Sequence, residues 1–365
     1  MDLRIKDLFE GVEDPRVDRT KKHPLESVLY IVLCGTIAGI DSWIGYQDYG
    51  EEHEALLKNF IDLPHGVPSH DTISRVIESL NVENFLACFE SFTQQFVART
   101  KGVISVDGKT MRGSFDTRKG VKARHIVSAW ANGCKLVLAQ EKVDDKSNEI
   151  TAIPELLKRL DLQGQIVTID AMGCQRNICQ QILDQEGDYV IALKGNQGTL
   201  HEDVRLWFED SSRTLDHVWE EWDKGHGRIE HRLCQATADV SWLQETHAWP
   251  GLRSIAAVRS TRETAKGIQQ ETRYYISSLP VDAERIAKAA RDHWGIENSL
   301  HWVLDVTMNE DKSRIRNENS PEILAIMRKW GLNIINQTKG NISVKRMIQK
   351  MAMSPKNLLL ILQKF

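Results

Sequence analysis

Two hydrophobic rhythms divide this chain. Up to about residue 100, apolar residues recur at spacings of three and four, the mark of helices with one buried face. Pro24 opens LESVLYIVLCGTIAGI, whose near-continuous apolar face predicts a core helix. A Gly-Ile-Asp-Ser break follows, then a helix over 51–60 and a proline-rich loop over 64–68. Ser69 can cap the next helix by accepting an orphan backbone N–H. Another apolar-periodic helix is expected over 84–99. From residue 103 the period shortens to two. Strands are predicted at 103–106, 124–130, 135–142, 165–170 and 189–193, with Asn132-Gly133 as a hairpin turn. Helices are expected between the later ones, at 149–160 and 177–185. Residues 201–280 hold a short helix at 201–208 and then mostly strand text, with Gly225-His226-Gly227 as a turn. Asp282 caps a long helix that carries HWGIENSLHWVLDV, and 320–365 is again helical, with Pro321 at its start.

The order strand, hairpin, helix, strand, helix, strand predicts an α/β class with the RNase H-like arrangement, an antiparallel start followed by parallel α/β. The expected organisation has four parts. Residues 1–100 form an all-helical N-terminal domain, and 101–200 the first part of the RNase H-like core. A β-rich insertion spans 201–280, and 281–365 is a helical C-terminal segment. A chain of 365 residues suits two or three domains. Its 41% apolar content is ample for a packed core, and 27% charged residues argues against disorder. The formal net charge of −4 excludes a uniformly basic nucleic-acid binder. Charge is nevertheless uneven: from Ile323 to Phe365 there are eight Lys or Arg and no acid, a footprint suited to phosphate. Six scattered cysteines without a CxxC pair suggest a reducing cytoplasm and no zinc site. The N-terminus does not resemble a signal peptide, and the longest apolar stretch, 28–40, is too short to span a bilayer.

Candidate chemistry begins at ISVDGKTMRGS, where a strand carries Asp107. A second strand, VTIDAMGCQ, ends in Asp170. A turn Asp followed by a turn Gly is the plain alternative for Asp107. On the helix after 282, His293, Glu297 and His301 share one stripe with apolar neighbours; a salt bridge from Glu297 to Arg291 is the plain alternative there. If the three acids converge, they cannot all stay ionised without a cation. Mg²⁺ or Mn²⁺ favours such oxygen ligands, and a pair of ions about 4 Å apart suits phosphodiester chemistry. Asp305 is a rival third acid. In the N-terminal region His70 and Arg75 stand where a recognition helix would meet DNA, with an ordinary capped bundle helix as the alternative.

Taken together, ISVDGKTMRGS, VTIDAMGCQ, YVIALKGNQ, HGRIEHR and HWGIENSLHWVLDVTMNED resemble bacterial insertion-sequence transposases of the DDE type, in the branch with the H-repeat-associated proteins of Rhs elements. The resemblance runs over nearly the whole chain. It implies a metal-dependent DNA transposase, with Asp107, Asp170 and Glu297 as catalytic metal ligands. A water or a DNA 3′-hydroxyl would be the nucleophile. The partners implied are double-stranded DNA, as terminal inverted repeats and as target, and a second copy of the chain on that DNA. The expected location is the bacterial cytoplasm, at the nucleoid when bound. Related cut-and-paste enzymes carry Tyr, Arg and Lys around the helical Glu; here those positions are Ala290, His293 and Leu304. DNA positioning would then fall to Lys109, Lys194, Arg291, His293, Asn298 and His301. Trp219, Trp222, Trp294 and Trp302 are candidates for stacking on a base, against core packing as the simpler role. The alternative function is an inactive, transposase-derived DNA-binding protein.

Overall fold

The computed structural model describes residues 8–97, 102–117, 120–144, 147–225, 227–354 and 357–358. The expected turn residue His226, the last residues of the basic tail and the extreme N-terminus lie outside them. Strands β1 (Val103–Met111), β2 (Arg124–Ala131) and β3 (Leu136–Val143) form an antiparallel meander. β4 (Ile166–Ile169) lies parallel to β1, and β5 (Asp188–Leu193) parallel to β4. Four more strands follow: β6 (His217–Gly225), β7 (Arg228–Thr237), β8 (Ser254–Thr264) and β9 (Gly267–Ser277). β9 pairs antiparallel with β5, so the strand text of 201–280 extends the central sheet. The result is one nine-stranded sheet in the order β3-β2-β1-β4-β5-β9-β8-β7-β6.

Helices cover both faces. α6 (Glu149–Lys158), α7 (Arg176–Asp184), α8 (Thr199–Glu209) and α9 (Ser241–His247) pack apolar residues such as Leu156, Ile178, Val204 and Leu243 against one face. Asn148 caps α6, its side chain accepting from the Ile150 N–H at 3.0 Å. On the other face α10 (Ala283–Gly295) sets Ile286, Ala289 and Ala290 against β5, β7, β8 and β9 residues including Val190, Cys234 and Val258. The capping expected of Asp282 is present, with the Arg285 N–H at 3.0 Å.

The N-terminal region contains α1 (Leu25–Ile37), α2 (Trp43–Glu52), α3 (Glu54–Leu57), α4 (His70–Ser79) and α5 (Val82–Val97). Ser42 caps α2, which begins at Trp43, eight residues before the helix expected at 51–60. These helices share a core with α11 (Ser320–Thr338), whose Trp330 is fully buried among Phe9, Phe85, Phe89 and Phe92. Arg328 and Lys329 lie inside, each 3% exposed, because α11 is the central strut of the helical core. Two of the eight cations counted in the basic tail are therefore not part of a surface footprint for phosphate. Lys329 bonds Gln140, and burial pushes its pKa down to about 7. The next helix, α12 (Val344–Met353), presents Lys345, Arg346 and Lys350 to solvent.

Beyond Gly295 the helix does not continue as an α-helix. It widens to π geometry over Ile296–His301 and Val303–Thr307. π turns of this kind concentrate at functional sites. α10 and the widened stretch run alongside β1 and are tied to it by three alternate residues, which the pleat places on one face. Ser105 Oγ donates to the Asp292 carbonyl at 3.4 Å. Asp107 Oδ2 lies 3.4 Å from His301 Nδ1. Lys109 Nζ lies 2.6 Å from Asp305 and also bonds Glu310, with Asp311 at 3.9 Å. Burial works against the Lys109 ammonium, but the charges of Glu310 and Asp305 outweigh it and raise its pKa.

Two outcomes follow. Truncating Trp330 to Ala should cost about 3–5 kcal/mol of stability, as for other large core aromatics, read by urea denaturation. Lys109→Met should cost a comparable amount, about 3–5 kcal/mol, because it strands buried Glu310 without its partner. Adding Glu310→Gln to that variant should recover part of the loss.

Candidate active site

Val106 and Ile169 are register partners in the parallel pair β1–β4. The next residue on each strand is Asp107 and Asp170. The two acids therefore leave neighbouring strands at the same level. β4 stops there, and Asp170 turns its carboxylate back on the chain. It accepts the N–H groups of Met172 (2.9 Å) and Gly173 (3.3 Å) and so caps a short 3₁₀ turn. Asp107 stays within β1, where pairing with β2 continues.

Glu297 arrives on the π stretch. Its approach depends on Gly295: a Cβ there would sit 2.1 Å from Asn132 Oδ1. Asn132 in turn donates to Ser105 Oγ at 2.8 Å, so the close crossing is braced from β1. Glu297 is solvent-accessible, yet it lines the same cleft as Asp170. That cleft encloses about 100 Å³ and is walled by Asp170, Lys194, Arg273, His293, Trp294 and Glu297.

The electrostatics show that the acids sense one another. Burial pushes the Asp170 carboxyl up; its two backbone donors pull it back, and the charges of Asp107 and Glu149 push it further. Burial also raises Glu297, the charge of Asp107 adds to this, and His301, Arg273 and Lys194 offset part of it. His293 shifts down because it is buried, against the pull of Asp107 and Asp170. Its Nδ1 sits 3.2 Å from Thr168 Oγ1, a tie between the helix and β4.

Not every expected residue reaches this cleft. Lys194 and His293 line it, and His301 rests on Asp107. Lys109 does something other than the expected phosphate contact: its ammonium is taken up by Asp305, Glu310 and Asp311. The same bond engages Asp305, the rival third acid. Arg291 and Asn298 open onto a larger adjoining groove. His70 and Arg75 belong to α4 in the helical bundle. His70 Nδ1 is 3.0 Å from Gln47 Oε1, and Arg75 Nε donates to the Asp71 carbonyl at 3.0 Å. Ser69 caps α4 as expected. Among the tryptophans, Trp219 packs against the α10-side core and Trp294 lies under Arg273 at 4.6 Å. Trp222 and Trp302 are exposed.

Three nearby residues escaped the sequence reading. Arg273 lines the cleft from β9. His125 Nε2 bonds Glu149 Oε1 at 2.6 Å, and this pair presses on Gly108, where a Cβ would lie 2.1 Å from the Glu149 oxygen. Gly108 lies inside β1 opposite Val127, and a side chain there would have to displace the ends of Glu149 and His125. Glu149 sits one residue past a readable helix cap, but its approach to Asp170 depends on pairing distant in sequence.

The donor set of Asp107, Asp170 and Glu297 fits a hard divalent ion in its chemistry. It is all oxygen, and Lys194, Arg273 and His301 only partly balance its charge. Among the described residues, no three His, Cys, Asp or Glu side chains already converge into a metal cage.

Comparison with known proteins places the chain. A family model described as "Transposase DDE domain" matches residues 98–334, and one described as "DDE_Tnp_1-associated" matches 6–93. "Putative transposase YncI" of Escherichia coli O157:H7 is 41% identical over 360 residues, covering 96% of this chain and 92% of that protein. "H repeat-associated putative transposase YhhI" of Escherichia coli K12 is 38% identical over 365 residues, covering 96% of each. "Inactive transposase YbfQ" from the same strain is 40% identical but covers only 20% of this chain. No helix among the described residues is long and apolar enough to cross a membrane. The matched sequence, with acids at neighbouring strand positions, identifies the chain as a member of the DDE transposase family.

Proposed function

We propose that this protein is a metal-dependent DNA transposase that nicks element ends and joins the freed 3′-hydroxyls to target DNA. The observation that supports this reading is the placement of Asp107 and Asp170 one step beyond paired residues of parallel strands, with Glu297 lining the same cleft as Asp170. The directions and order of β1 to β5 support an RNase H-like core. Asp107, Asp170 and Glu297 would hold Mg²⁺ or Mn²⁺, as two ions. When bound, these ions supply Lewis-acid stabilisation of charge on the phosphodiester.

The chain's own groups do the rest. His301 steadies the Asp107 carboxylate, and the Met172 and Gly173 N–H groups fix that of Asp170. Lys194 and Arg273 offer positive charge to the incoming phosphate at the cleft wall. In the nicking step a water oxygen forms a bond to phosphorus while the bond to the 3′-oxygen breaks. The water proton passes to solvent, and the 3′-oxygen leaves protonated as a hydroxyl. In the joining step that hydroxyl attacks a target phosphodiester in line, so one phosphodiester is exchanged for another without a covalent protein intermediate. Two ends must be held at once, so the working form is a homodimer on DNA. It would act in the bacterial cytoplasm, at the nucleoid. α4, with His70 and Arg75, is the proposed reader of the terminal repeats.

Incubation of the protein with supercoiled plasmid and Mg²⁺ or Mn²⁺ should give nicked circles. Asp107→Asn, Asp170→Asn and Glu297→Gln should each lower that rate by at least about 100-fold, the scale of losing transition-state charge stabilisation. Absence of cleavage by the wild-type protein would leave a DNA-binding protein only. A second readout needs no catalysis. Because Asp170 and Glu297 have raised carboxyl pKa values, ionising them at neutral pH opposes folding. Their contribution to stability is largest at acid pH and falls as pH rises from the unfolded toward the folded pKa. Asp170→Asn and Glu297→Gln should therefore melt above the wild type at pH 7.5 without divalent ions. Added Mn²⁺ should raise the wild-type melting temperature and leave both variants nearly unmoved.

A further inference from the structure

Helix α10 covers only part of the sheet face formed by β7, β8 and β9. Beneath it the cross-strand rows are apolar, with Ala236, Ala256 and Tyr275 among them. Further along the same strands the rows become charged. Glu230 pairs with Arg262, and Arg262 with Gln269; Arg232 pairs with Ser260, and Val258 with Arg273. This uncovered stretch opens into a groove of about 700 Å³, whose wall carries Arg228, Arg232, Arg262, Arg273 and Arg291.

The arginines are not loose surface charges. Glu230, only 7% exposed, sits in their midst. Arg228 Nε lies 2.7 Å from it and Arg262 Nη2 3.3 Å, and Arg232 bonds its other oxygen. Arg232 also reaches Glu221 at 3.4 Å, and Arg273 lies 2.8 Å from Glu271 on the groove wall, but five arginines against these three acids still leave excess positive charge. The three guanidiniums on Glu230 also leave N–H donors that a single carboxylate cannot accept. Guanidinium N–H pairs match the oxygens of a phosphodiester. The groove also meets the carboxylate cleft, since Arg273, Tyr275, Ala290 and Trp294 line both.

We propose that this groove is a cradle for the phosphodiester backbone of the DNA strand running on from the carboxylate cleft, with Glu230 as the post that holds its arginines in place. The proposal rests on the transposase reading for its ligand. It adds a binding surface and assigns a positioning role to an acid that simple charge counting would treat as unfavourable.

That last point gives the test. Binding of the full-length protein to a fluorescein-labelled duplex of random sequence is followed by anisotropy over a range of salt concentrations. Arg262→Ala should weaken binding about 3- to 10-fold and flatten the slope of log K against log salt by about one. Arg262→Lys should restore the slope but not the full affinity. Glu230→Gln removes a negative charge from the groove, so electrostatics alone predicts tighter binding; the cradle predicts binding at least 3-fold weaker. Binding by Glu230→Gln equal to or tighter than wild type would overturn the proposal, as would an unchanged salt slope in Arg262→Ala. Melting temperatures of the variants exclude global unfolding. Plasmid nicking by the wild type is scored separately. Its failure would count against the enzyme reading and leave the cradle to be judged on binding alone.

Discussion

The contact on which the site depends is the seam between β1 and the widened helix. Its strongest member is one lysine ammonium shared among carboxylates. Lys109 stands two residues past Asp107 on the same strand face, and Asp305 stands eight past Glu297 on the same helix. Fixing one pair therefore fixes the other. Glu310 is only 2% exposed and is held ionised by Lys109, Arg328 and Lys329 against the cost of burial. Such a buried network contributes little net stability compared with apolar packing, but it tolerates few alternative arrangements. The seam thus sets the level of Glu297 along β1.

A second set of contacts, made by α11, joins the helical core to the sheet. α11 packs Trp330 into the N-terminal aromatics on one side and sends Lys329 to Gln140 on β3 on the other. Asn333 bonds both the N–H and the carbonyl of Val137, closing the β3 edge of the sheet. The sheet edge nearest the bundle is covered by these bonds, which removes a surface open to strand pairing. In the cleft, by contrast, the charges of neighbouring cations offset those of the acids only in part.

Much of this was readable from the sequence because it is local. The period change at residue 103, the Asn132-Gly133 hairpin, the Ser69 and Asp282 caps and the strands carrying Asp107 and Asp170 all depend on neighbours within a few positions. The resemblance of the quoted motifs to DDE transposases was equally legible. What escaped needed contacts between distant residues. Lys109 reads as a free cation until Asp305 and Glu310 are folded onto it. Arg328 and Lys329 read as exposed until α11 is seen inside the helical core. The π geometry after Gly295 has no periodic signature, since apolar residues at 296, 300, 303 and 304 suit an α-helix as well. The pairing of β9 with β5 likewise joins strands far apart in sequence and makes the β-rich segment part of one sheet.

That continuity has a metric consequence. The strand carrying Asp170 and the strand carrying Glu230 are separated by four lateral steps across a single hydrogen-bonded sheet, β4-β5-β9-β8-β7. At about 4.8 Å per step the offset is roughly 19 Å. A nucleic-acid strand rising about 3.4 Å per residue would cover that span in five or six nucleotides. The sheet would then act as a ruler, with its length set by strand count.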